Sequence, residues 1–290
     1  MTLNSNGLKG VSWMIDLQTI LILSQKEIRD ATKSRWLLMF GVGFTVIASA
    51  LSWMAMSGLG SFGVAGFGRT TASMVNMVLL IVPLMGLALG ALAVASERER
   101  GALAYLMSQP VSAFEILLSK YIGVAGALIV VLLVGFGVSG LLVALRGGSS
   151  NLGDFLALVG LTILLALSSL SIGFLISAGL RRGATAIGLA VFLWLTLAFF
   201  SDLGLMGTAI TLDVGIRELL FMALINPLQV YKLAAILSIK NDLEILGPAG
   251  VYAVRTYGDA LLPMLLVLFT AWIAIPLSIG YFIFKRRGAF

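Results

Sequence analysis

Six long apolar runs dominate this chain, at residues 37–56, 73–95, 121–145, 155–180, 184–200 and 261–284. A helix needs about 20 apolar residues to cross a bilayer, and in lipid every backbone polar group must find its partner inside the element. A helix meets that demand alone. The runs therefore predict an all-α, polytopic membrane protein with six transmembrane helices. Only 11% of the 290 residues are charged and 60% are apolar, where a soluble domain carries about a quarter charged. A single transmembrane domain over 1–290 is expected, with no sizeable soluble domain beside it.

Six spans put both termini on one side. That side would hold Lys9, Lys26, Arg29, Lys33 and Arg35, then Arg98, Arg100 and Lys120, then Arg181 and Arg182, then Lys285, Arg286 and Arg287. The other side holds Arg69, Arg146, Arg217, Lys232, Lys240 and Arg255, spread over more chain. The positive-inside rule then places both termini in the cytoplasm. The net charge of +6 is accounted for by orientation, and no nucleic-acid partner is expected.

What the chain lacks excludes several functions. It has no cysteine and no histidine, which removes thiol chemistry, disulfides, the commonest metal ligand and the usual proton shuttle. No Asp, Glu, Lys or Arg falls within the six runs as drawn, which argues against ion-coupled transport. There is no G-x-x-x-x-G-K-[ST] pattern to bind ATP. The chain is expected to be neither an enzyme nor a metal or cofactor binder, and any work it does must be driven by a partner. Met54, Met56, Met74 and Met77 could suit Cu(I) as thioethers, but ordinary packing is the preferred reading and no metal site is assigned.

Ahead of the first run, 15–35 is too polar to cross. Leu17, Leu21, Ser24, Ile28 and Ala31 recur at helical spacing, predicting an amphipathic helix in the membrane interface and in contact with lipid. The alternative is a helix packed on neighbouring protein. The outer segments 57–72 and 146–154 are short, whereas 201–259 is long and too apolar to be disordered. It is expected to form short helices capping the outer face, and Asn226 with Pro227 reads as an N-cap and first-turn proline.

The densest charge lies between the second and third runs, in "SERERGALAYLMSQPVSAFEILLSK" (96–120). Glu97, Arg98, Glu99 and Arg100 alternate in sign. Gly101 allows a sharp turn. Leu103, Leu106 and Met107, in a segment that also holds Tyr105, have helical spacing, and Pro110 ends that short helix. Ser112 and Glu115 form an S-x-x-E capping box, with Val111 and Ile116 at the staple positions. A compact helix–turn–helix shelf over 96–118, joined rigidly to two spans, is predicted. A solvated anchor would need the bases alone, since acids contribute little to topology.

This stretch resembles the E-x-E-x-G-T-L…P-V-S-R…I-L-x-G-K motif of ABC-2-type transporter permeases, with Ala102, Ala113 and Ser119 as departures. "KEIRDATKSRWLL" (26–38) and "GYFIFKRRG" (280–288) are similar to that family's ends. The resemblance implies a bacterial inner-membrane homodimer whose cytoplasmic coupling helix docks a separate ABC ATPase, which binds ATP and magnesium. Glu97, Arg98, Glu99, Arg100, Gly101, Leu103, Tyr105, Leu106, Met107, Pro110, Ser112 and Glu115 would be the coupling residues. "KSRWLL" (33–38), "TTASMVNMVLLIVPLMGLALG" (70–90) and "LINPLQVYKLAAI" (224–236) resemble the NosY-type branch of the family. That likeness implies a NosF-like ATPase, a periplasmic NosD-like partner and a role in assembling the copper sites of nitrous oxide reductase. Asn226, Pro227, Tyr231 and Lys232 would then dock the periplasmic partner. Two other functions stay open: an ABC-2 exporter of a lipid, drug or peptide, and a membrane scaffold outside the ABC family.

Overall fold

In the computed structural model, residues 17–56, 67–145, 152–200, 215–238 and 247–287 are described, and among them every regular element is helical. In chain order these are α1 (Leu17–Thr32), α2 (Arg35–Met56), α3 (Phe67–Glu99), α4 (Ala102–Met107), α5 (Ala113–Leu145), α6 (Leu152–Gly179) and α7 (Gly183–Leu195). A π-helical turn, Thr196–Phe200, extends α7, and α8 (Ile216–Leu224), α9 (Pro227–Ser238), α10 (Gly247–Tyr257) and α11 (Leu261–Arg287) follow.

Among the described residues, five stretches are long and apolar enough to cross a membrane: Arg35–Met54, Met74–Glu99, Ala113–Leu142, Gly153–Gly179 and Gly250–Arg287. The expected fifth run, 184–200, is a shorter apolar helix, Gly183–Phe199. The pair α8–α9 is apolar enough to count as one span but bends by 107° at Ile225–Asn226, as a broken span or re-entrant loop does. Asn226 and Pro227 set the bend, and α9 is sunk into the bundle with Leu228, Val230, Tyr231, Ala234 and Ala235 buried.

Helices α3 and α6 form the centre, and small residues bring them together. A Cβ on Gly90 would lie 2.5 Å from the Leu170 carbonyl oxygen, and one on Gly173 would lie 2.6 Å from that of Leu87. Gly86, one turn before Gly90, is equally closed off by Ala166 and Ser169. Apolar burial drives little association in lipid, so close backbone contact and buried hydrogen bonds carry it. One such bond is the Ser177 hydroxyl, which accepts from the Val94 and Ala95 amides at 2.9 and 2.8 Å. Another joins Ser52 of α2 to Ser139 of α5 at 2.6 Å.

The first helix has protein on one face. Ile20 and Ser24 are buried, and α5 comes so close that a Cβ on Gly123 would meet the Glu27 Cβ. Leu17, Leu21 and Ile22 remain about 70% exposed. Helix α1 is thus docked on α5 by one face while these apolar side chains face outward, an arrangement that an interfacial helix also has.

Candidate functional site: the charged end of the bundle

Helix α3 carries its charges to the end of its last turn. Gly101 then takes φ +73°, a left-handed conformation that turns the chain sharply into α4. The Leu106 carbonyl accepts the Gln109 amide, the chain leaves α4 through Ser108, Gln109 and Pro110, and α5 begins at Ala113. The capping box forms as its spacing predicts. The Ser112 hydroxyl accepts the Glu115 amide at 3.2 Å, and Glu115 Oε2 accepts the Ser112 amide and hydroxyl, each at 2.8 Å. Val111 packs on the same core as buried Ile116. The helix–turn–helix shelf is present.

Its residues point elsewhere than expected. Leu103 is fully buried and Leu106 and Met107 are half-buried against the main core, so the apolar face of α4 is turned inward. Burial takes Leu103 off any docking surface. What α4 presents outward is Tyr105, 72% exposed, beside Ala102, Ala104 and Ser108.

Three of the four alternating charges bond to other helices or to the turns at their ends. Glu97 Oε1 accepts from the Lys120 ammonium at 2.5 Å, and Glu27 Oε1 of α1 accepts from the same ammonium at 2.8 Å. Lys120 is 2% exposed, so one buried cation fastens α1, α3 and α5 together. Arg98 Nη1 donates to the carbonyls of Ala178 and Leu180 at 3.3 and 2.7 Å, capping the C-terminus of α6, where a cation is favoured by the helix dipole. Glu99 Oε2 accepts the Gly183 amide at 2.8 Å, capping the N-terminus of α7, where the dipole favours an anion. Arg100 is exposed and donates back to the Ser96 carbonyl at 3.1 Å. The signs of Arg98 and Glu99 are therefore explained by the helix ends they meet and that of Glu97 by Lys120, while Arg100 bonds back to its own helix.

These contacts bring the ends of α1, α3, α5, α6 and α7 together, and Arg287 of α11 joins them by donating to the Gly179 carbonyl. Lys120 and Glu27 were not singled out from sequence, although Lys120 closes the quoted stretch. Lys120 lies one residue before the apolar run 121–145, within a helix that starts at Ala113.

The second set of expected residues is also internal. Asn226 Oδ1 accepts the Leu228 amide at 2.9 Å, which makes it the N-cap of α9 with Pro227 in the first turn, as expected. Its Nδ2 donates to the Leu197 carbonyl at 2.8 Å, in the π-helical turn after α7. Tyr231 is fully buried and its hydroxyl meets Thr162 of α6 at 3.2 Å. As a partner anchor Tyr231 is corrected to a core residue, and Asn226 and Pro227 to buried residues of the bend. Lys232 is half-buried and, with Asn76 and Gln229, lines a cleft of about 150 Å³ between α3, the end of α7 and α9. The exposed apolar residues of this region are Ile216, Phe221, Met222 and Ile225.

Of the four methionines, Met74 and Met77 are buried in the main core and Met54 is exposed, while the side chain of Met56 lies outside the described residues. The segments 57–66, 146–151, 201–214 and 239–246 also lie outside them, and with them much of the expected outer loops.

In this arrangement Glu97, Arg98, Glu99 and Lys120 are engaged in joining helices. The arrangement can hold a short exposed helix rigidly on the ends of two spans. The sequence matches the family model described as ABC-2 family transporter protein over residues 21–289. It is 28% identical over 271 residues to "Probable ABC transporter permease protein NosY" of Stutzerimonas stutzeri, covering 91% of this chain and 97% of that protein. It is 24% identical over 277 residues to the protein of the same name from Pseudomonas aeruginosa, covering 93% and 99%. With a family match across nearly its whole length and, among the described residues, at least five helices long and apolar enough to cross a membrane, the chain belongs to the ABC-2 transporter family, as a membrane-embedded permease subunit.

Proposed function

We propose that this permease transmits ATP-driven motion of a separate ATPase to the far side of the inner membrane, in the service of copper-site assembly for nitrous oxide reductase. The observation that carries the mechanical part is the fastening of α4. The helix is joined to α3 by the Gly101 turn, to α5 by the Ser112–Glu115 box, and to the bundle by buried Leu103, while Glu97 and Lys120 tie its two flanking spans. A push on Tyr105 and the exposed side of α4 would therefore move α3 and α5 as one body, and α3 would carry α6 with it. Both relatives carry the name NosY, and the copper role is what the resemblance of 33–38, 70–90 and 224–236 to that branch implies.

In this reading α7 with its π-helical turn is the sixth span, both termini are cytoplasmic, two copies of the chain form the bundle, and the ATPase is NosF-like. A NosD-like partner would dock on the far side through the exposed face of α8, around Phe221, with half-buried Lys232 at its edge. The experiment is co-expression of the permease, its ATPase and nitrous oxide reductase. Deleting the permease should leave the reductase protein present but without the visible absorption of its copper sites. A fully coloured reductase would overturn the copper reading. A second reading, export of an amphiphile, is favoured by the cleft lined by Asn76, Gln229 and Lys232, and would be supported instead by vesicle transport of such a compound.

A further inference from the structure

Three span ends meet at one corner of the charged end: α3 with Arg98, the α6–α7 turn with Arg181, and α11 with Arg287. Arg98 and Arg287 both donate to the last turn of α6, Arg98 to Ala178 and Leu180 and Arg287 to Gly179 between them. Arg181 is close enough for its charge to act on Arg98, as is that of Arg287. A helix C-terminus carries roughly half a negative charge, which offsets only part of three guanidiniums. The neighbouring acid, Glu99, is turned to the Gly183 amide.

Arg98 poses the sharper problem. It is 9% exposed, and its Nε and Nη2 are buried without an acceptor among the described residues. A buried charged donor left unmatched is costly, so this corner calls for an anion.

The depth of the corner says which kind. Arg98 is the next-to-last residue of the apolar stretch Met74–Glu99, Arg181 lies just past Gly153–Gly179, and Arg287 ends Gly250–Arg287. The ends of apolar spans lie at the level of the lipid headgroups.

We propose that Arg98, Arg181 and Arg287 form a binding site for the phosphate of an anionic phospholipid. The guanidinium fork matches phosphate oxygens two at a time, and basic pockets between spanning helices are suited to such headgroups. Arg181 and Arg287 are exposed and form the entrance, and Arg98 forms the floor. A phosphate held there would fasten α3, α6 and α11 beside the shelf. The proposal does not depend on the copper reading or on the ATPase.

The test is native mass spectrometry of the purified permease with phosphatidylglycerol or phosphatidylcholine. Wild type should retain phosphatidylglycerol selectively. Arg181→Gln with Arg287→Gln should lower that retention about tenfold, as loss of charge-assisted bonds implies, and Lys26→Gln with Arg29→Gln on α1 should not. If the double variant fails to fold, Arg181→Gln alone, in an exposed turn, should give a smaller loss in the same direction. Unchanged retention in the folded arginine variant would overturn the site, and equal loss in the α1 variant would reduce it to diffuse attraction. Displacement by soluble glycerol phosphate would make it a free-phosphate site, contrary to the proposal. Loss of the ATPase with lipid retention unchanged would make the corner a protein contact and overturn it too.

Discussion

Glu97 and Lys120 meet at 2.5 Å across the base of the shelf, so that the last turn of one spanning helix is bonded to the beginning of the next. Glu27 adds α1 to the same ammonium. Because Lys120 is 2% exposed, the joint is shielded from salt and water, and it is all-or-none in character: each partner is costly to bury without the others.

Lys120→Met should leave two carboxylates facing each other and destabilise the permease by about 3–5 kcal/mol. Adding Glu27→Gln and Glu97→Gln should recover much of that loss. Thermal unfolding in detergent checks both. If the triple variant is no more stable than Lys120→Met, the triad is not one unit.

Ser112→Ala with Glu115→Ala removes both halves of the capping box, a cap being worth about 0.5–2 kcal/mol. The bundle should still insert and still bind the ATPase. Coupled function should fall, because the angle between α4 and α5 is no longer held. Unchanged coupled activity would make the box a structural detail.

Gly90→Leu and Gly173→Leu should prevent assembly, since a Cβ at either position already lies within 3 Å of backbone on the opposing helix. Gly160→Leu on the same α6, where nothing lies within 4 Å, should be tolerated. Monodispersity on size exclusion separates the three variants. Equal behaviour of all three would contradict the close α3–α6 contact.

Tyr231→Phe should cost about 1 kcal/mol, the net worth of a buried hydrogen bond, by deleting the contact with Thr162. It should leave recruitment of any periplasmic partner intact, whereas Phe221→Asp at an exposed site of α8 should abolish it. Pull-down from the periplasm reads both. Loss of the partner with Tyr231→Phe alone would restore Tyr231 as an anchor.

Local signals in the sequence were legible where their partners are close in the chain. Gly101, Pro110, the Ser112–Glu115 box and the Asn226–Pro227 cap all depend on neighbours within a few residues, and each lies where its spacing puts it. Direction was not legible. The spacing of Leu103, Leu106 and Met107 defines an apolar face of α4, yet nothing local says whether that face meets the bundle or a partner, and it meets the bundle. The same holds for Tyr231, whose hydroxyl partner Thr162 is far away in the chain. Charges near span ends look like topology signals, and only the fold brings Glu27, Glu97 and Lys120 to one point. The Gly86-x-x-x-Gly90 spacing was present as a sign of close helix packing, but it does not name α6 as the partner.

The account rests on α4 being the surface that meets the ATPase, and the absence of native cysteine allows a direct measurement. Tyr105→Cys places a single thiol on the exposed side of α4, and Tyr257→Cys places one at the exposed last residue of α10. Each permease is treated in membranes, together with its ATPase, with a crosslinker carrying a maleimide for the thiol and an N-hydroxysuccinimide ester for lysine amines of the ATPase. The account predicts a permease–ATPase adduct from Tyr105→Cys and none from Tyr257→Cys. An adduct from Tyr257→Cys alone, or none from Tyr105→Cys while the ATPase still co-purifies, would contradict it.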